Sequence, residues 1–179
     1  MNRSRTALAA LSSLLIAAAG NAVAADAVSH ADASFMKDAA HAGHAEVSAS
    51  KLALSKSSDT QVKAFAQQMI DDHTKAAAEL QSLADAKGVK LPTEPSMTQK
   101  TKEKMTLSTA DGANFDYRYA DSAGVSAHED TVKLFRKAAA EAKDADVRAF
   151  ASKTLPTLEH HLQMAKELQA ATAIRAGKK

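Results

Sequence analysis

Residues 57–88 read SSDTQVKAFAQQMIDDHTKAAAELQSLADAKG. Apolar side chains recur there at intervals of three and four: Val62, Ala66, Met69, Ala76, Leu80 and Leu83. That spacing is the period of an α-helix with one buried face. Ser58, with Gln61 three residues on, fits a capping box at the helix start. Gly88 suits the position just past a helix end at Lys87. His73 falls on the stripe, where the period asks for an apolar side chain.

The same period runs through three more segments. A first helix, capped at Ser34 and ending near Lys56, carries Phe35, Ala39, Ala42, Glu46, Ala49 and Ala53 on one face. A third, from about Asn114 to Lys143, carries Val125, His128, Val132, Phe135, Ala139 and Ala142. A fourth, capped at Asp144 and running to about Ala173, carries Val147, Phe150, Thr154, Leu158, His161, Ala165 and Leu168. Pro156 lies inside this last helix and predicts a kink, because it lacks a backbone donor and crowds the preceding turn. The segment from Val89 to Met97 holds Pro92 and Pro95 and reads as a loop. Thr98 to Ser108 reads as a short surface helix, and Asp111-Gly112 as a turn. Four amphipathic helices with one buried stripe each predict an all-α antiparallel four-helix bundle, with a short extra helix in the second connection. The bundle is expected over residues 34–173, after a flexible segment 25–33 and before a basic tail 174–179.

The N-terminus carries a different signal. Arg3 and Arg5 precede an apolar run from Thr6 to Gly20, and Ala22-Val23-Ala24 supplies small residues for cleavage. The run is shorter than the roughly 20 apolar residues of a membrane span and has the flanks of a secretory signal peptide. Residues 1–24 are therefore expected to be a leader cleaved after Ala24, and the mature protein to be periplasmic or secreted. No later segment is apolar enough to span a membrane. The leader takes two of the 23 basic residues and none of the 21 acidic ones, so the remaining chain is balanced in charge. That balance argues against a nucleic-acid partner, which needs a basic face. The chain has no cysteine, so packing rather than disulfides must hold it together. Neither a phosphate-binding glycine loop, a nucleophile elbow nor a haem-attachment motif is present.

Each helix thus places one ionisable side chain on its inward stripe: Glu46, His73, His128 and His161. Each lies near the middle of its own helix, and midpoints coincide in a bundle whichever way the helices run. The four are expected to meet in one central layer. Such a layer is costly unless its members satisfy one another. A divalent transition metal (Zn, Fe, Mn or Cu) would do so, with Glu46, His73, His128 and His161 as its ligands. Asp71, Asp72, Glu129 and Glu159 lie near enough in sequence to accept hydrogen bonds from the ring N–H groups. Two alternatives stand beside this reading: a purely architectural polar layer in a structural or interaction protein of the cell envelope, and a metal-dependent redox enzyme. His30, His41 and His44 are expected to be solvated surface residues.

Met69-Ile70-Asp71-Asp72-His73, Phe115-Asp116, His128 with Leu134-Phe135, and Leu155-Pro156-Thr157-Leu158-Glu159-His160-His161 resemble the motifs of the domain of unknown function 4142 family. The resemblance covers about Phe35 to Leu168. It implies a ferritin-like four-helix bundle and an exported bacterial protein, with Glu46, His73, His128 and His161 at the family's polar motif positions. It implies no activity. Di-iron proteins of the ferritin-like class use a Glu on each of two helices and Glu-x-x-His on each of the others. That pattern is missing from these four helices, so a mononuclear site or none is expected in place of a di-iron centre.

Overall fold

The computed structural model describes residues 28–178. The expected leader, residues 1–24, and its expected cleavage site after Ala24 lie outside them. Six α-helices make up the described chain: α1 (His30–Lys56), α2 (Thr60–Ala86), α3 (Met97–Glu103), α4 (Gly112–Tyr119), α5 (Ala127–Glu141) and α6 (Ala145–Arg175). A π-helical segment, Lys104–Ser108, extends α3, and another, Ala120–Ser126, joins α4 to α5 in one long rod. Among the described residues, no helix is long and apolar enough to cross a membrane.

Side-chain caps set the helix starts. The first helix begins at His30, four residues before the expected position, because the side chain of Ser29 accepts the amide of Asp32. Ser34 sits inside the first turns, with its hydroxyl on Asp38. Asp59 rather than Ser58 caps α2, accepting the amides of Gln61 and Val62 through one carboxylate oxygen. The capping box falls elsewhere, at Ser96 and Gln99 on α3. Asp144 caps α6 as expected, on the amides of Asp146 and Val147. Gly88 adopts φ 66°, the left-handed conformation that ends α2. The last helix continues through Pro156.

The helices form a four-helix bundle. α1 packs against α2, α5 against α6, and the two pairs close through α2–α6 and α1–α5 contacts. One core cluster unites the N-terminal halves of α1 and α6 with the C-terminal halves of α2 and α5: Phe35, Met36, Leu80, Val132, Phe135, Val147, Phe150 and Leu158. A second unites the opposite halves, with Ala49, Ala53, Val62, Phe65, Met69, Ala165 and Leu168, and adds Phe115 and Tyr119. Every neighbouring pair is therefore antiparallel, while the diagonal partners α2 and α5 run parallel. The connection between them must travel the length of the bundle. It begins on the first cluster at Val89 and Leu91 and ends on the second at Leu107 and Ala110.

Burial follows the expected stripes closely. Asp32 adds a tie that periodicity does not reveal. It is buried, and its two carboxylate oxygens accept the amides of Lys143 (3.3 Å) and Asp144 (3.0 Å) in the α5–α6 turn. Asp32→Ala removes the partner of both amides in a part-buried turn, so urea unfolding of the variant is expected to show a loss of about 1–3 kcal/mol.

Candidate metal centre

Between the two apolar clusters lies a polar layer. Glu46, His73, His128 and His161 are all buried, at 4%, 6%, 1% and 1% exposure. Each comes from a different helix: α1, α2, α5 and α6. The three imidazoles form a nearly equilateral triangle, with ring centroids 5.5, 5.5 and 5.6 Å apart. One ring nitrogen of each lies within 4.8 Å of one ring nitrogen of the other two. The structure therefore brings the three histidines together. Glu46 stands to one side, its Oε1 3.9 Å from His128 Nδ1, and is not part of the three-nitrogen group.

Hydrogen bonds orient two of the rings. His128 Nδ1 lies 2.8 Å from the Gly124 carbonyl oxygen and 3.3 Å from that of Ala123. A carbonyl only accepts, so Nδ1 carries the proton and Nε2 of the neutral ring keeps its lone pair. His161 Nε2 lies 2.9 Å from Asp72 Oδ2. The ionised carboxylate fixes the proton there and leaves Nδ1 bare. His73 Nε2, His128 Nε2 and His161 Nδ1 are buried without any hydrogen-bond partner. Three nitrogens with no partner, on three rings that stand close together, make a group that could hold a metal ion.

The local backbone explains the first of these bonds. The π-helical segment Ala120–Ser126 ends just before His128, and its wide turns offer two carbonyls to the ring. Such segments inside α-helices recur at functional sites. Gly124 also lets this segment approach α6: a Cβ at that position would stand 3.1 Å from the Ala165 Cβ. The small and polar run Asp121-Ser122-Ala123-Gly124 was the available sequence signal, since glycine inside a helix calls for a packing reason.

Of the four carboxylates expected to support the rings, Asp72 does so. Asp71 accepts Gln67 Nε2, Glu159 pairs with Arg136 and Glu129 with Lys166. His41 and His44 have a role that the sequence did not suggest. His41 Nδ1 donates to the Glu94 carbonyl at 2.9 Å and His44 Nε2 to the Pro92 carbonyl at 3.1 Å. They fasten the long connection onto α1.

Burial disfavours charge on every member of the layer. His73 is driven down to about 3, first by desolvation and then by the neighbouring His128 and His161. His128 is lowered to about 4 by burial and by His161, against the carbonyls of Gly124 and Ala123. His161 is lowered by burial, against the favourable Asp72 carboxylate. Glu46 is raised well above the usual carboxylate range by burial, with Lys102 opposing. At neutral pH the imidazoles are uncharged, the form that binds a metal. A cavity of about 170 Å³ adjoins them, lined by His73, His161, Asp72, His44 and Gly43 among apolar side chains. It leaves open space beside the His73 and His161 side chains.

The family model described as "Domain of unknown function (DUF4142)" matches residues 17–168. No curated protein matches the chain. Among solved structures, the chain is similar to a conserved hypothetical protein, rv2844, from Mycobacterium tuberculosis. The TM-score is 0.62 at 20% identity, over 79% of this chain and 92% of that one. At that identity the likeness concerns the fold alone.

The lowered histidines fix the sign of a pH dependence. Unfolding returns each imidazole to a pKa near 6.5, so the unfolded chain binds more protons than the folded one below that pH. Their contribution is complete above about 6.5 and is lost as pH falls towards 4 and 3. Glu46 acts oppositely, favouring the fold at low pH and losing that advantage as pH rises through its raised pKa. Urea titrations with a chelator present are expected to show stability falling below pH 6.5. The fall should be shallower in His73→Phe and steeper in Glu46→Gln.

Proposed function

This chain belongs to the DUF4142 family, and we propose that it is an exported helical-bundle protein that holds one divalent transition-metal ion on His73, His128 and His161. The observation that carries this reading is the set of three unpartnered nitrogens, His73 Nε2, His128 Nε2 and His161 Nδ1, on three rings packed around one point. Each unsatisfied buried nitrogen costs about 1–3 kcal/mol. A layer of architectural purpose alone gains more from satisfied or apolar residues. A metal ion satisfies all three at once.

The donor set suits zinc, copper(II) or iron(II), which accept imidazole nitrogen, better than magnesium or calcium, which take oxygen. Asp72 would act on the metal through His161, fixing its tautomer and raising its basicity. Glu46 would act from outside the ligand shell, beside His128. Three neutral donors would leave the charge of a divalent ion uncompensated in a largely apolar setting, with the Asp72 carboxylate, bonded to His161, as a partial counterweight. A site of this kind would serve metal holding. Export is supported by the leader pattern of residues 1–24, with a mature N-terminus expected at Ala25.

Elemental analysis of the mature protein, purified without a metal-affinity tag, tests the reading. About one metal per chain is expected, with none in a still-folded His73→Ala/His161→Ala variant. Asp72→Asn should keep the site and weaken it by about tenfold or more. Absence of metal after purification, together with no uptake of added Zn²⁺, Mn²⁺, Fe²⁺ or Cu²⁺, would leave the layer architectural. Intact-mass measurement of the protein from the cell envelope checks the cleavage point.

A further inference from the structure

On the other side of the polar layer lies a second, larger cavity of about 450 Å³, walled by α1, α3 with its π-helical extension, and the π-helical segment running into α5. Its walls are mainly apolar, with Ala45, Ala49 and Leu107 among them, and Glu46 lines it. Glu46 is only 4% exposed, and its Oε2 is buried without a hydrogen-bond partner. A carboxylate oxygen in that position is expensive unless something supplies a donor. The metal-binding reading does not supply one, because Glu46 stands outside the three-nitrogen group.

The charges around the cavity say what would. Asp38, Glu103 and Asp130 line it with Glu46, against a single cation, Lys102. Lys102 is exposed, and its Nζ reaches 3.5 Å from the Ser126 hydroxyl. Glu103 is engaged with the Ser48 hydroxyl at 3.2 Å. The cavity therefore presents one deep carboxylate, an alanine-rich wall and an acidic rim. Asp38 and Glu46 are eight residues apart on α1, about 12 Å along its axis at a rise of about 1.5 Å per residue. Two carboxyl groups at that separation, joined by an apolar wall, match a linear chain of methylenes with an ammonium at each end, the inner ammonium supplying the countercharge that Glu46 lacks.

We propose that this cavity binds a linear aliphatic polyamine, its inner ammonium donating to Glu46, its methylenes lying along the Ala45 and Ala49 wall, and its outer ammonium facing Asp38 and Asp130 at the rim. The inner contact is a charge-assisted hydrogen bond in a site shielded from water, the setting in which such bonds are strongest. The rim contacts are exposed, add little at physiological salt and select for a second positive charge. Lys102 opposes the ligand and limits its affinity. The proposal is independent of any metal on the histidines.

Calorimetric titration of the mature chain at about 0.15 M salt tests it with spermidine, putrescine, butylamine and the neutral 1,4-butanediol. Spermidine is expected to bind most tightly, then putrescine, then butylamine, and the diol not at all. Glu46→Gln should weaken spermidine by about tenfold or more, Asp38→Asn by a smaller factor, and Lys102→Gln should tighten it. His73→Ala/His161→Ala should leave it unchanged, which separates this site from the metal centre. Ala45→Leu fills the cavity from a partly exposed wall position and should abolish binding in a chain with unchanged helical circular dichroism; it carries the test if Glu46→Gln does not fold. Equal binding of the diol, or no binding at about 10 mM spermidine, overturns the proposal. So does spermidine binding that Glu46→Gln and Ala45→Leu leave intact while rim substitutions remove it, since that places the amine on the outer surface.

Discussion

Three buried imidazoles that lack partners for one nitrogen each are the constraint around which the bundle is arranged. They divide the interior into two apolar clusters, one built on Phe35, Phe135 and Phe150 and the other on Phe65, Phe115 and Tyr119. Edge-on aromatic pairs brace both clusters, Phe35 with Phe135 at 5.1 Å and Phe65 with Tyr119 at 6.1 Å. The clusters must supply enough burial to hold a polar layer that by itself disfavours the fold. Their position above and below the layer also keeps it buried. Burial depresses the histidines, and a neutral imidazole keeps a lone pair on one ring nitrogen at neutral pH. Stability and metal competence thus rest on the same burial and act in opposite directions.

Orientation is handled locally. His128 is tied to its own helix, through carbonyls four and five residues earlier that belong to a π-helical segment. His161 is tied across the bundle, to Asp72 on α2, the residue before His73. One helix therefore supplies both a ring and the carboxylate that orients its neighbour's ring. The diagonal arrangement makes this possible, since α6 lies between α2 and α5 and contacts both. A connection that simply reversed direction after α2 would put α5 antiparallel beside it and exchange these neighbours. The long crossover through Pro92 and Pro95 is thus part of the site's construction, and His41 and His44 hold it against α1.

Much of this is legible in one sequence. Periodicity alone identifies the four stripes, and equal height follows from the central position of each ionisable residue. Glu46, His73, His128 and His161 all fall in the buried layer for that reason. Periodicity cannot say which way a side chain leans once inside. Glu46 shares the layer yet faces the larger cavity, and no spacing rule distinguishes that from pointing at the triangle. Periodicity does not separate the actual caps, Ser29 and Asp59, from Ser34 and Ser58, because several polar residues compete as caps and the winner depends on where the chain enters the bundle. The tie from Asp32 to the α5–α6 turn spans more than a hundred residues, beyond the reach of local patterns. Rings of His41 and His44 look like surface residues until the crossover is laid over them.

Alanine connects these observations. In the layers next to the buried ionisable residues, the stripes carry Ala42, Ala49, Ala76 and Ala165 beside Met69, Val125, Val132 and Leu158. Small side chains bring helices close, but they also leave volume wherever a helix pair is held apart. The ring triangle is such a spacer, because three imidazoles need more room than three alanines. Cavities then appear beside the layer on both flanks, about 170 Å³ on the side of His73 and His161 and about 450 Å³ on the side of Glu46. Filling them with larger side chains would recover packing contacts at the rate usual for protein cores. A sequence that keeps alanine there forgoes that stability and keeps open space against its only fully buried ionisable layer among the described residues. Packing alone would not select that arrangement; access of small molecules to buried polar atoms would.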